Sequence, residues 1–265
     1  MTRGLLGAAI LLAGFLAGRQ GLQALTAFLQ SGGLSVGLAA ALAAGLYLAF
    51  AAGLARVALR LADQPPDLLV ARRSARNALA QITVGFVLGA AIVLVTLILG
   101  LASGLAEVSG HSLRAGLARS LAAALFELGG IAGAEELVFR IALLTIASRL
   151  TGWRWGVVLS SMAYAAVHAG AAWSSPIYLT SLFCFGVAAC QLRRLGGESV
   201  WLPVGTHWAW DFVSFAAFRV LPLTLLGPTW LSGLPDHLSA GLVMLAVLVL
   251  TATVTTLLAW RTPRA

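Results

Sequence analysis

Runs of about twenty apolar residues recur along this chain, and few folds can accept them. A helix of that length matches the hydrocarbon thickness of a bilayer, and within lipid every backbone polar group must be satisfied inside its own segment or a closed barrel. The runs fall near Leu5–Phe28, Leu34–Ala55, Ala78–Leu101, Leu117–Ser148, Trp155–Ala172, Pro176–Leu192, Val200–Phe218 and Leu238–Trp260. They predict an all-α fold, a polytopic transmembrane helix bundle of about eight spans, organised as a single membrane domain over residues 1–265. Composition agrees. The chain is 60% hydrophobic and 10% charged, where soluble domains carry about 25% charged residues. Its length leaves no room for a large soluble domain, and no internal repeat is visible. Arg19 and Gln20 interrupt the first run, so its outer part is expected to snorkel or lie in the interface. Met1-Thr2-Arg3 before a short apolar core also has the form of a signal peptide, a competing reading of that run.

The net charge of +8 comes from arginine, since the chain has no lysine. No basic run is set among aromatics, which argues against nucleic acid as a partner. Arginine bias instead orients the bundle. With both termini cytoplasmic, the inner loops take Arg3, Arg56, Arg60, Arg72, Arg73, Arg76, Arg149, Arg154, Arg193, Arg194, Arg261 and Arg264, and the outer loops only Arg114, Arg119 and Arg219. Arginine without lysine, beside abundant Ala, Gly and Leu, suggests a GC-rich bacterial genome, hence a multi-pass protein of the cell (inner) membrane. Cys184 and Cys190 lie in an apolar run and read as small core residues rather than a disulfide.

Several ionisable residues sit inside these runs, where each costs at least a few kcal/mol and is usually paired and functional. Glu135 and Glu136 are adjacent, and Arg140 is one helical turn beyond Glu136, so those two can pair. Glu135 is rotated by about 100° and faces elsewhere. Tyr164 and His168 are four apart, as are His207 and Asp211. With a rise of about 1.5 Å per residue, Glu135 and His168 each lie roughly 20 Å from the inner side and His207 roughly 10 Å. Carboxylate and imidazole groups from three spans are therefore expected to meet inside the bundle, accessible from the cytoplasmic side. Each has a plainer reading too: His168 as an interhelical hydrogen bonder, His207 with Asp211 as a polar clamp, Glu136 with Arg140 as a structural pair. Glu127, one or two turns before Glu135, can join the cluster or face an aqueous cavity, and the cavity is expected. Gly129-Gly130 is expected to break or kink the fourth run.

The ordered set Glu135-Glu136-Leu-Val-Phe-Arg140, Tyr164-Ala-Ala-Val-His168 and His207-Trp-Ala-Trp-Asp211 resembles the CPBP family, the CAAX-processing and bacteriocin-processing intramembrane endopeptidases also called Abi. The approach Gly196-Gly197-Glu198-Ser199-Val200-Trp201-Leu202-Pro203 is similar as well. The resemblance covers about Ala124 to Phe218. It implies a catalytic core at 117–220, preceded by variable spans at 1–116 and followed by an outer loop and last span at 221–265. It also implies hydrolysis of a peptide bond in a membrane-embedded or membrane-anchored protein, with Glu135, His168, His207 and Asp211 catalytic and Glu136, Arg140 and Tyr164 supporting.

Two departures stand out. Ile141 follows the arginine where the family commonly has glycine, and Asp211 stands where asparagine is usual. An ionised aspartate cannot donate to an oxyanion, so Asp211 would be protonated, orient His207, or bind a metal.

Two versions of the chemistry are open. In one, Glu135 is general base on a water also held by His168, and His207 stabilises the oxyanion. In the other, Glu135, His168, His207 and Asp211 supply ligands to Zn2+, which lowers the water's pKa. Asp211 adds an oxygen ligand and tilts the residues toward the second version. A CAAX substrate needs a prenylated cysteine, which a bacterial host does not favour. The rival class is a non-catalytic membrane scaffold or a transporter reusing the same polar cluster. No paired broken helices of the kind common in transporters are visible.

Overall fold

The computed structural model describes residues 1–65, 75–108, 116–170, 174–221, 223–234 and 237–261. Arg72, Arg73, Arg114 and Arg264, counted above in the loops, lie outside the described residues, as do Pro66, Asp67 and the end of the fifth run at Ala172. The fold is all-α but for one two-stranded sheet. In order it comprises α1 (Thr2–Ser31), α2 (Val36–Leu61), α3 (Ala75–Ala102), β1 (Ala106–Val108) and α4 (Leu117–Glu136). A π-helical segment (Leu137–Leu143) follows, then α5 (Leu144–Thr151), α6 (Trp153–Ala166), α7 (Pro176–Leu195), α8 (Trp201–Val220), β2 (Leu223–Leu225), α9 (Thr229–Ser232), a 3-10 turn (Leu238–Ala240) and α10 (Leu242–Arg261). Among the described residues four helices, Thr2–Ser31, Val36–Leu61, Asn77–Ala102 and Leu242–Arg261, are long and apolar enough to cross a membrane. The chain is a membrane protein.

The chain forms two compact units, Met1–Ser74 with Ala118–Ser160 and Ala75–Leu117 with Ser161–Ala265. In the first, α1 and α2 form an antiparallel hairpin closed over glycines. Gly7 faces the Ala58 carbonyl, Gly14 faces Leu54 and Gly18 faces Phe50, so that a Cβ at Gly7 would come within 2.8 Å of the carbonyl oxygen. Backbone approach over small residues is how helices associate where lipid offers no hydrophobic drive. Gly130 serves the same end. It seats against Ala44 of α2, and α4 runs through Gly129-Gly130 without a break. The departure from α geometry begins at Leu137, about two turns later, in the π-helical segment.

The ends of three elements gather at one end of this unit. Arg3 at the start of α1 lies 3.4 Å from the Asp63 carboxylate just past α2. Arg149 near the end of α5 donates to the Asp63 carbonyl at 3.0 Å. The arginine bias assigned Arg3 and Arg149 to one side of the membrane, and they do share one end of the unit.

In the second unit α3 packs along α8 through a Gly85-x-x-x-Gly89 ridge. A Cβ at Gly85 would meet the Leu202 carbonyl, one at Gly89 the Thr206 carbonyl, and one at Gly205 the Ile82 carbonyl. α10 packs on α7. The chain leaving α3 and the chain leaving α8 pair as the antiparallel strands β1 and β2, with Ala106 opposite Leu225. α6 ends at Ala166, earlier than the fifth run suggested, and a turn carries Val167–Gly170. Its backbone tightens to an i→i+3 bond, His168 N–H to Ala165 C=O at 3.1 Å.

Candidate functional site

The first unit holds the acidic constellation. Glu135 is 4% exposed, and Glu136 and Arg140 are fully buried. Arg140 Nε lies 3.2 Å from Glu136 Oε2, the pairing that the four-residue spacing implied. The two residues flank the start of the π-helical segment. Such segments re-aim side chains and frequently mark functional sites. Two contacts hold this one in place. The Ser160 hydroxyl donates to the Phe139 carbonyl at 2.6 Å, and the Phe139 ring meets Phe15 of α1 edge-on at 5.0 Å.

Glu135 lines a cavity of about 460 Å³ together with Glu127 of α4, Tyr47 of α2 and Arg19, Gln23 and Gln30 of α1. Glu127 thus faces the cavity expected of it. Arg19 lies within α1. α1 continues unbroken past it to Ser31, and its guanidinium-bearing face borders this cavity, because an amphipathic stripe on α1 follows Arg19 at helical spacing.

The second unit holds the imidazoles. Tyr164 Oη lies 3.3 Å from His207 Nε2, and Asp211 Oδ2 lies 3.5 Å from the same nitrogen. Asp211 is 32% exposed at its side chain, against 4% for His207. The His207 ring is boxed by Phe185 of α7 at 5.0 Å and Trp210 at 6.2 Å, and those two rings stack on each other at 4.3 Å.

His168 lies in the turn after α6, not on its helix. Its Nδ1 is 2.8 Å from the Tyr164 carbonyl. A carbonyl only accepts, so Nδ1 carries a proton and donates it.

The structure brings together Glu136 with Arg140, His207 with Asp211 and Tyr164, and Tyr164 with His168, whose rings lie 5.0 Å apart. Glu135 belongs to one unit and the histidines to the other. Among the described residues no three His, Cys, Asp or Glu side chains gather in a group that could hold a metal ion. The donors placed side by side stop at His207 and Asp211, short of the three protein ligands that catalytic zinc uses. Phe185, Tyr47 and Ser160 are absent from the sequence reading. Nothing in their local pattern distinguishes them from core residues.

The class so far defined is a helical membrane protein with a buried carboxylate on a polar cavity in one unit and an imidazole beside an aspartate in the other. Comparison with known proteins narrows it. A family model described as Type II CAAX prenyl endopeptidase Rce1-like matches residues 116–213. This is the resemblance read from the motifs, and the matched stretch contains all seven of Glu135, Glu136, Arg140, Tyr164, His168, His207 and Asp211. No curated protein and no solved structure matches the chain.

Proposed function

We propose that the chain is an intramembrane endopeptidase of the CAAX-processing type, hydrolysing a peptide bond in a membrane-associated protein. The observation that carries this reading is Glu135: 4% exposed, beside an internally compensated Glu136–Arg140 pair, and bordering a cavity that polar side chains line. A carboxylate so placed is withdrawn from bulk water yet reachable by one water molecule, which suits a general base.

In the mechanism Glu135 takes a proton from that water as the oxygen attacks the scissile carbonyl carbon. The carbonyl oxygen becomes an oxyanion, and the His207 ring, oriented by Asp211, stabilises it. Collapse breaks the C–N bond, and the proton held by Glu135 passes to the departing nitrogen. His168 helps to hold the water. This is the glutamate version of the chemistry, and no step in it runs through a metal.

The reading extends to topology. Eight spans with both termini cytoplasmic, in a bacterial inner membrane, agree with the arginine distribution and with Arg3 and Arg149 meeting at Asp63. Residues 117–220 carry the chemistry, and 1–116 and 221–265 frame it.

The test pairs metal content of the purified protein, by mass spectrometry, with cleavage of membrane-anchored peptides with and without chelator. Cleavage that survives chelation and is lost in Glu135→Gln is the expected result. About one zinc per chain, lost together with activity in His168→Ala, would replace the glutamate version with the metal one. Peptides left intact by the wild type would favour a scaffold or transporter.

A further inference from the structure

The face of α1 that borders the Glu135 cavity is polar, while most of the helix is apolar. Arg19, Leu22, Gln23, Thr26, Ala27 and Gln30 line the cavity, and their spacing is that of one helical face. The Thr26 hydroxyl donates to the Leu22 carbonyl at 2.8 Å, which leaves two carboxamides and a guanidinium to set the polarity of this wall. Carboxamides on a membrane-spanning helix are costly unless they meet partners. Gln23 and Gln30 are seven residues apart, a rise of about 10.5 Å. Three residues of extended chain cover about 10 Å. A carboxamide both donates and accepts, as a peptide group does. The pair therefore matches the backbone of an extended strand at peptide groups three residues apart.

At the buried end stands Tyr47, 4% exposed, whose hydroxyl has no hydrogen-bond partner among the described residues. It lies within electrostatic reach of both Glu135 and Arg19. Buried hydroxyls are nearly always bonded, so an orphan O–H on a cavity beside a carboxylate calls for an acceptor from outside the chain. The cavity has an open side and a closed one. Gln23 and Ala27 are exposed, Arg19, Gln30 and Glu127 half-buried, Tyr47 and Glu135 buried. A ligand entering past Gln23 and Ala27 would meet the carboxylate at the closed side.

We propose that this cavity holds an extended, unwound peptide segment, with Gln23 and Gln30 pairing to its backbone and Tyr47 donating to a carbonyl near Glu135. The proposal rests on the endopeptidase reading and adds the conformation of its substrate. An intact transmembrane helix satisfies its own backbone and offers nothing to these carboxamides. The substrates are membrane-anchored chains whose cleavable stretch is non-helical.

The experiment uses the full chain in lipid vesicles and an acyl-anchored peptide pool of randomised uncharged sequence. Ala27→benzoylphenylalanine in the Glu135→Gln background reports binding by photocrosslinking, independently of turnover. A peptide that the wild type cleaves reports KM and kcat. Crosslinking is expected, and Gln23→Leu/Gln30→Leu should cut its yield and raise KM by about tenfold, as for two lost hydrogen bonds, with kcat within about twofold. Tyr47→Phe should raise KM by about threefold. Wild-type KM and crosslink yield in these variants, or equal crosslinking of a stapled helical peptide, would overturn the proposal and leave the endopeptidase reading untouched. Crosslinking that depends on Gln23 and Gln30, with no peptide cleaved by the wild type, would support the binding site and remove the hydrolysis. Absence of any crosslink from position 27 overturns the proposal whatever the cleavage result.

Discussion

Arg140 Nε lies 3.2 Å from Glu136 Oε2, and neither side chain is more than 1% exposed. Removing one member strands the other's charge in the interior, which typically costs 3–5 kcal/mol, whereas replacing both by apolar residues can be close to neutral. Glu136→Gln and Arg140→Met are expected to lower the thermal midpoint in detergent by many degrees. Glu136→Leu/Arg140→Met together should recover most of the loss. A single variant that melts with the wild type would mean the pair is dispensable to the fold.

Glu135 separates from its neighbour in the same assay. Glu135→Gln keeps shape and leaves the Glu136–Arg140 pair intact, so its melting should match the wild type. Its kcat for peptide hydrolysis should fall by at least about 10²-fold, the usual contribution of a positioned base. Activity retained within about twofold would remove Glu135 from the chemistry.

The Ser160 hydroxyl caps the Phe139 carbonyl at 2.6 Å inside the π-helical segment. Ser160→Ala removes that bond while the carbonyl keeps the one from the Leu144 N–H, so the expected cost is about 0.5–1.5 kcal/mol. Ser160→Thr keeps the hydroxyl and should stay closer to the wild type than the alanine variant does. Hydrogen exchange over Leu137–Leu143 is the direct readout, and faster exchange in the alanine variant is expected.

Tyr164 reaches His207 across two helices, Oη to Nε2 at 3.3 Å. Tyr164→Phe removes that contact and keeps the ring against Phe185, 6.1 Å away. A fall of about tenfold in kcat with KM unchanged is expected for loss of one hydrogen bond that orients an oxyanion donor. A change confined to KM would place Tyr164 in substrate binding instead.

Gly89 gives a matched comparison with Gly53. A Cβ at Gly89 would run into the Thr206 carbonyl, while nothing lies within 4 Å of one at Gly53. Gly89→Ala should destabilise through overpacking by about 1–3 kcal/mol. Gly53→Ala should be neutral or slightly stabilising, as alanine is the better helix former. Equal melting of the two variants would mean that α3 and α8 do not rely on this ridge.

What could be read in the sequence was local. Glu136 to Arg140 and His207 to Asp211 are contacts one helical turn long, and residue spacing alone carries them. Tyr164 to His207 and Ser160 to Phe139 join different helices and depend on packing that no short pattern encodes. Gly130 shows why a residue type can mislead: glycine weakens a helix in isolation but admits a neighbour's backbone in a bundle, and here Ala44 takes that place. Arg19 interrupts an apolar run, and its place beside Gln23 and Gln30 along one cavity wall emerges only from the packing of α1 on α2 and α4. The position of His168 past the end of α6 was hidden because apolar character continues beyond Ala166 although the helix does not.

Gly85 and Gly89 lie upstream of every motif residue, in spans that the resemblance leaves out, yet α8 is seated on them along the stretch that leads into His207. They act as a gauge: the depth and rotation of that imidazole are cut by two absent side chains on a helix with no chemistry of its own. A chimera grafting residues 117–220 onto foreign N-terminal spans would inherit every catalytic letter and lose the ruler that aligns them.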